Sequence, residues 1–303
     1  MMRRLILSGV LLTLVLLARA QRPYIAVLGV AQDGGYPQAG CHKACCSKAW
    51  QAASLRRLVS CIAIVDPAAG HSWMFDATPD FREQLHHLET RSHTTLNGIF
   101  LTHGHIGHYT GLMQLGREVM GAKDMKVYAM PRMRSFLSSN GPWDQLAKLQ
   151  NISIQPLRAD SVIVLNERIK VIPFTVPHRD EYTETAGYRI IAGGKTILFI
   201  PDIDKWEKWQ QDIDTVIQQA DYALIDATFF KDGELNRPMS EVPHPFVEES
   251  MKRFAHLSAK DKNKIYFIHF NHTNPVLQPN SSAQKEVLSK GFHLAAEGSI
   301  LTL

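Results

Sequence analysis

The chain has no dense basic stripe: charged residues make up only 20% of its 303 positions, and the formal net charge is +4. That balance argues against a nucleic-acid partner or a nuclease acting on long polyanions, which need many phosphates neutralised along one face. There is also no internal repeat, no low-complexity tract and no linker long enough to divide the chain, so residues 21–303 are expected to form a single domain. No apolar run reaches the length of a membrane span. The one at the start, Leu5 to Ala18, falls short of the ~20 residues needed to cross a bilayer. It follows Met1-Met-Arg-Arg4 and precedes Ala18-Arg19-Ala20, a small-residue cleavage pattern, so residues 1–20 read as a secretory signal peptide. No cysteine follows to carry a lipid, and the mature chain is expected to be periplasmic or extracellular without a stable membrane anchor. Loss of Arg3, Arg4 and Arg19 brings the formal charge to about +1, which suits small or neutral substrates. What remains is ordinary for a folded soluble protein, with 45% hydrophobic residues.

The chain is organised around Phe100-Leu-Thr-His-Gly-His-Ile-Gly-His-Tyr-Thr-Gly111. His103, His105 and His108 follow the short apolar run Gly98 to Leu101, which reads as a strand, and residues 110–120 continue at helical spacing. In a strand-to-helix turn, two histidines two apart can point into one pocket with the third at the helix start. Neutral imidazole is the commonest metal ligand and suits zinc and iron alike. The alternative is a chance surface cluster, which would not need a buried strand beside it.

The same placement recurs. Strand-like runs at Cys61–Asp66 and Ser72–Asp76 form a hairpin that leaves Asp76 at its end. Ile169–Val176 leads to His178, Lys195–Ile200 leads to Asp202, and Lys264–Ile268 leads to His269. Asp76 reads either as a group orienting a metal-bound imidazole or as a helix cap. Further strands are expected at residues 23–29, 126–130, 161–165, 187–191 and 221–226, and helices over 205–219 and 246–256. His71, His86, His87 and His93 read as solvent-facing. His244 and His272, in polar loops, are candidates to support an oxyanion or a leaving group, or to cap backbone. The segment Gly40-Cys-His-Lys-Ala-Cys-Cys-Ser47 holds Cys41, His42, Cys45 and Cys46, four soft ligands for a structural zinc. A disulfide, with Cys61 as a further partner, or free thiols are the other readings.

The ordered set of strand-end Asp, His-x-His-x-x-His, His, Asp and His resembles the metallo-beta-lactamase superfamily over nearly the whole mature chain. The loop Gly-Gly-Tyr-Pro-Gln ahead of clustered cysteines, Asp226-Ala-Thr-Phe-Phe-Lys-Asp-Gly-Glu234, His269-Phe-Asn-His-Thr-Asn-Pro275 and Gly291-Phe-His-Leu-Ala-Ala-Glu-Gly298 look like its coenzyme PQQ synthesis protein B-like group. The resemblance implies an α/β fold, a four-layer αβ/βα sandwich with two mixed sheets and metal at the edge between them. It implies a first metal on His103, His105 and His178, Asp202 bridging, a second metal on His108 and His269, and Asp76 as orienter. Gly107 stands where the family signature has an aspartate that serves as ligand and base, and Asp204 or Asp180 is a candidate to compensate. The implied activity is hydrolysis of a small ester, lactone, amide or phosphodiester by a metal-bound hydroxide, with one or two zinc ions, or iron or manganese. An iron-dependent oxygenase and a non-catalytic periplasmic metal- or cofactor-binding protein are the alternatives.

Overall fold

The computed structural model describes residues 22–303, so the signal-peptide reading of residues 1–20 lies outside the described residues. Among the described residues, no helix is long and apolar enough to cross a membrane. Strand β1 (Tyr24–Gly29) pairs antiparallel with β2 (Cys61–Asp66), and β2 with β3 (His71–Phe75). The sheet then grows by parallel crossovers through β4 (Thr95–Phe100), β5 (Met125–Ala129) and β6 (Ile152–Pro156), with helix Phe81–Ser92 connecting β3 to β4. In the second half, β7 (Ile163–Asn166), β8 (Ile169–Val176), β9 (Thr185–Ala192) and β10 (Lys195–Ile200) are antiparallel neighbours. β11 (Tyr222–Asp226), β12 (Ile265–Ile268) and β13 (His293–Leu294) extend that sheet in parallel. β14 (Ile300–Thr302) returns to pair with β1, which gives two seven-stranded mixed sheets with the same pattern of three antiparallel steps followed by three parallel ones.

The burial of β2 shows why the sheets stack. All of its residues are buried, because its alternating side chains serve two interfaces. Ile62 and Ile64, with Trp73, Phe75 and Phe100, meet Tyr188, Ile190 and Phe199 of the other sheet; Phe75 packs edge-on against Tyr188 at 5.2 Å. Ala63 and Val65, with Met74, instead face Phe81 and Leu88 of helix Phe81–Ser92. Helices Ile213–Gln218 and Val247–Arg253 add Val216, Ile217 and Met251 to the core of the second half. The result is the four-layer αβ/βα sandwich. Each of the large side chains buried here contributes roughly 1.5–3 kcal/mol.

The expected strands are present with small shifts at their ends; β13 and β14 are short, and β6 (Ile-Ser-Ile-Gln-Pro) alternates apolar with polar residues, so none of the three has a comparable apolar run. The helix expected over residues 110–120 does not form. Residues Ile106–Tyr109 make one helical turn and Thr110–Leu115 a 3-10 segment. Gly111 lies against the preceding loop so closely that a Cβ there would be 2.1 Å from the Thr78 carbonyl oxygen, and this packing outweighs helical periodicity. The helix expected over 205–219 is likewise divided into Trp206–Lys208 and Ile213–Gln218, with the Trp209 indole turned inward to donate to the Thr175 carbonyl at 3.0 Å.

Candidate metal centre

The site side chains sit where strands end. Asp76 directly follows β3, Thr102 and His103 come just after β4, His178 lies two residues past β8 and Asp202 two past β10; Asp226 closes β11, and His269 directly follows β12. The carboxyl ends of parallel strands form the usual crevice of open α/β sheets. Asp76 (φ 74°) and His269 (φ 70°) both adopt left-handed backbone, a conformation that side chains other than glycine take at a cost of about 1–3 kcal/mol when the surroundings impose it.

Three groups of ligand atoms lie within 4.8 Å of one another: His103, His105, His178 and Asp202; Asp33, His108 and His269; and Asp202, Asp226 and His244. His103 Nε2 is 2.8 Å from His105 Nδ1 and 3.3 Å from Asp202 Oδ2, while His178 Nε2 is 3.4 Å from Asp202 Oδ1. Asp202 also approaches His108 at 3.8 Å and His269 at 3.9 Å, so it stands between the first two groups.

A matching hydroxyl hub sits behind each half of the site. The Thr102 hydroxyl lies 2.9 Å from Asp76 Oδ1, 3.0 Å from His103 Nδ1 and 3.2 Å from His108 Nδ1, and Asp76 Oδ2 is 2.7 Å from His108 Nδ1. Across the pocket, the Thr228 hydroxyl lies 2.7 Å from Asp226 Oδ1, 2.9 Å from His269 Nδ1 and 3.2 Å from His244 Nδ1. These contacts fix ring orientation from behind. On the outer side, Glu181 Oε2 is 2.9 Å from His105 Nε2.

The charges call for a cation. Asp76, Asp202 and Asp226 are buried and Asp33 is largely so, and none of the four pairs with Lys or Arg among the described residues. Burial drives His103 well below its ordinary range, with His108 adding to the effect, and drives His178 down to about 4, so both rings are neutral donors of a lone pair. Burial would raise Asp202, but His178, His244 and His269 around it hold it well below the usual carboxylate range. His108 and His244 carry the compensating protons: against the effect of burial, Asp76 and Asp33 raise His108, and Asp226 and Asp202 raise His244 to about 10. Buried atoms without any hydrogen-bond partner converge on the same space: Asp33 Oδ1, His108 Nε2, both ring nitrogens of His178, Asp202 Oδ1 and His269 Nε2. Carboxylate oxygens and ring nitrogens left without partners in such number are what a bound divalent ion would satisfy, with the proton on His108 released as the ion takes its place.

The structure therefore brings His103, His105, His108, His178, Asp202 and His269 together, with Asp76 behind them and His244 at the side. Two candidate compensators are held elsewhere: Asp180 accepts from the Thr185 hydroxyl at 3.0 Å, and Asp204 pairs with Lys208 at 2.8 Å. On the Nε2 side of His108, opposite Asp76, lies the Asp33 carboxylate, 3.2 Å away, in the loop after β1. Sequence reasoning also passed over Thr102, Thr228, Asp226 and Glu181. Asp33 and Asp226 obey the same strand-end rule as the others, and Asp-Ala-Thr occurs twice, at 76–78 and 226–228, each time at the end of a strand.

Two assignments are corrected. His272 does not face the His/Asp pocket; it joins Cys41, Cys45 and Cys46, with all four ligand atoms within 4.8 Å. His42 is exposed and outside that group, because side chains of adjacent residues in the non-helical stretch before helix Ala44–Gln51 diverge, whereas Cys45 and Cys46 are carried back by the helix turn. Cys61 points into the helical layer beside the Asp76 carbonyl, away from the other cysteines, and all four thiols are free. His272 Nδ1 is buried without a partner and burial lowers the ring's pKa, so a neutral imidazole is available to complete a Cys3His set for a structural metal. His71, His86, His87 and His93 lie outside every metal group.

A cleft of about 470 Å³ opens beside the first two groups, lined by Asp33, His105, Tyr109, Phe136, Trp143, Arg179 and Tyr182. Its aromatic wall is tightly packed, with Tyr109 and Trp143 rings 5.0 Å apart and Phe136 and Tyr182 rings 5.7 Å apart.

Comparison with known proteins agrees with this architecture. A family model described as the beta-lactamase superfamily domain matches residues 71–270. The chain is 28% identical to coenzyme PQQ synthesis protein B of Methylorubrum extorquens (strain PA1), across 92% of this chain and 100% of that protein. It is 27% identical to coenzyme PQQ synthesis protein B of Xanthomonas campestris pv. campestris (strain B100), across 92% and 99%. Among solved structures, the Zn2+-bound PqqB from Methylobacterium extorquens superposes with a TM-score of 0.78 at 26% identity, covering 92% of this chain and 100% of that one. A diphosphatase from the PhnP family shares the fold, with a TM-score of 0.67 at 24% identity over 93% and 98%.

Proposed function

The chain belongs to the metallo-beta-lactamase superfamily, and from that membership we propose that it is a metal-dependent hydrolase of a small ester, lactone, amide or phosphodiester. The observation that carries this reading is the juxtaposition of partnerless His and Asp ligand atoms with an open, ring-lined cleft. A merely storing or structural centre has no need of a substrate-sized approach. In this reading His103, His105, His178 and Asp202 hold the metal, their ligand atoms lying within 4.8 Å of one another. Such an ion, when bound, brings the pKa of water from 15.7 to roughly 7 and polarises a carbonyl or phosphoryl oxygen.

The chain's own residues do the rest. Thr102 with Asp76, and Thr228 with Asp226, hold the imidazoles in fixed orientations, so no rotamer freedom is lost when the substrate arrives. His244, whose Nδ1 lies 2.9 Å from Asp226 and 3.2 Å from Asp202, is assigned to donate a hydrogen bond from its other ring nitrogen to the negative charge that develops on the substrate. Tyr109, Phe136, Trp143 and Tyr182 receive an apolar or ring-bearing body and exclude water from it, and Arg179 at the rim takes an anionic group. The Cys41, Cys45, Cys46 and His272 set is proposed to hold a structural zinc. The leader pattern in residues 1–20 places the working protein outside the cytoplasm in this proposal.

The test is elemental analysis of the protein purified without added metal, beside the His103→Ala, His105→Ala double variant, followed by ester, lactone and phosphodiester screens. Zinc lost on that substitution together with turnover in one screen supports the hydrolase. Iron lost instead, with substrate-dependent oxygen uptake, replaces it by the oxygenase reading, since three imidazoles and a carboxylate suit iron as well. If nothing is lost, the metalloenzyme reading falls.

A further inference from the structure

The signature aspartate missing at position 107 has not left a gap. A Cβ at Gly107 would lie 2.2 Å from Asp33 Oδ1 and 2.6 Å from Asp33 Cα, so side chain and backbone from the loop after β1 already fill that space. Asp33 Oδ1 is buried and has no hydrogen-bond partner, and it faces two ring nitrogens in the same condition, His108 Nε2 at 3.2 Å and His269 Nε2 at 4.0 Å. These three atoms form a ligand group of their own beside the first.

The loop is fastened so that Asp33 stays there. The Gln32 backbone N–H donates to the Phe270 carbonyl at 2.8 Å, and the Phe270 N–H donates to the Val30 carbonyl at 2.8 Å. The Gln32 side chain accepts from Asn271 Nδ2 at 2.6 Å and donates to Asp33 Oδ2 at 3.0 Å, which leaves Oδ1 as the free oxygen. Asp33 is thereby tied to the residues that immediately follow His269.

We propose that Asp33, with His108 and His269, holds a second divalent metal ion, and that Gly107 is the residue whose missing side chain lets Asp33 reach it. Asp202 stands between the two groups, 3.3 Å from His103 of the first and 3.8 and 3.9 Å from His108 and His269 of the second. The inference deepens the metal-centre reading above and rests on it. An aspartate at position 107 and one at position 33 compete for the same space, so the chain accommodates only one of them: any residue larger than glycine at 107 displaces the Asp33 backbone as well as its carboxylate.

The experiment is zinc and cobalt stoichiometry of the full chain after metal loading and removal of free ions, for the wild type, Asp33→Ala, Gly107→Ala, and His103→Ala with His105→Ala. Circular dichroism and thermal melts show that each variant is folded. Asp33→Ala is expected to lose about one equivalent, or to bind its second ion more than about 100-fold more weakly, since removal of an orienting partner alone costs 10–100-fold. Gly107→Ala is expected to lose the same equivalent. Manganese or cobalt spin resonance gives a readout independent of turnover: the wild type shows two coupled ions, and Asp33→Ala shows a single uncoupled one. Wild-type stoichiometry and coupling in Asp33→Ala overturn the proposal while leaving the first site standing. If the double histidine variant loses no metal, the centre itself is misread, and the proposal falls with it by a different and recognisable result.

Discussion

Two threonine hydroxyls govern the precision of the pocket. Thr102 touches Asp76, His103 and His108 at once, and Thr228 touches Asp226, His244 and His269. Replacement of Thr102 by valine keeps the β-branched shape and removes the hydrogen bonds, so the two imidazoles lose their common anchor while the fold is retained. Metal affinity of Thr102→Val is expected to fall by about 10–100-fold, measured by competition with a chromogenic chelator, and Thr102→Ser is expected to restore most of it. An unchanged affinity would mean that Asp76 alone orients His108. At this scale the sequence was legible where chemistry is rare and silent where it is common. Six metal-ligand candidates stood out because a histidine or aspartate closing an apolar run is unusual. A threonine beside a strand is not, and a hydroxyl's role depends on which rings the fold brings to it. The place of His272 is hidden for the same reason: its loop position is compatible with oxyanion support or with backbone capping, and the fold sets it beside the cysteines instead. Its neighbours in space, Cys41, Cys45 and Cys46, lie far from it in sequence, whereas His42 lay next to them and pointed away.

The positions of the strands were the most readable feature of the elements, because a strand buried on both faces is continuously apolar and its end is marked by the first polar residue. Helices were less readable: close approaches at Gly107 and Gly111 set the path of residues 106–115, and those approaches exist only in the folded chain. One contact between elements is testable on its own. Asp66, the buried last residue of β2, accepts from Asn166 Nδ2 at 2.8 Å and from Arg168 Nε at 3.2 Å, so the β7–β8 hairpin of one sheet is fastened to the other. Asp66→Ala is expected to lower stability by about 1–3 kcal/mol, seen as a lower urea midpoint at unchanged slope, with Arg168 free to hydrate because it is already partly exposed. The loop carrying Cys41 to Cys46 is fastened to the loop after β12 in a similar way: Gln278 Nε2 donates to the Tyr36 hydroxyl at 2.9 Å and to the Cys45 carbonyl at 3.0 Å. Burial pushes the Cys46 thiol up to about 12, so without metal it is neutral at physiological pH. Zinc takes thiolates, so its binding there must release protons and its affinity must rise with pH. A more than tenfold gain in zinc affinity of this group between about pH 6 and about pH 8 is the expected result. The comparison is made on the His103→Ala, His105→Ala variant so that the other site contributes less, and a flat profile would rule out thiolate ligation.

At the scale of the whole molecule, the pocket joins two similarly built halves. His103, His105 and His108 follow strands of the first sheet, while His178, Asp202 and His269 follow strands of the second, and the Asp33 loop of the first sheet is bonded to the end of β12 in the second. Ions held between them would therefore act as cross-links, and they would also neutralise carboxylates that no Lys or Arg reaches among the described residues. Their removal should be felt globally. A ligand present at about 1,000 times its dissociation constant stabilises the native state by about 4 kcal/mol. For a protein of this size that corresponds to a melting temperature about 7 °C higher. A strong chelator is thus expected to lower the wild-type melting temperature by at least about that much, with recovery on adding zinc. The His103→Ala, His105→Ala variant separates the contributions. It should melt lower than the wild type before any chelator is added, and its remaining response should come from the Cys41, Cys45, Cys46 and His272 group together with the Asp33, His108 and His269 group, so that a further Cys45→Ser substitution reduces it and Asp33→Ala added to that abolishes it. If instead the double histidine variant melts like the wild type and responds to chelator in full, the stabilising ion sits in the cysteine group alone, and the two halves are held together by the Phe75, Tyr188 and Phe199 packing without help from the pocket.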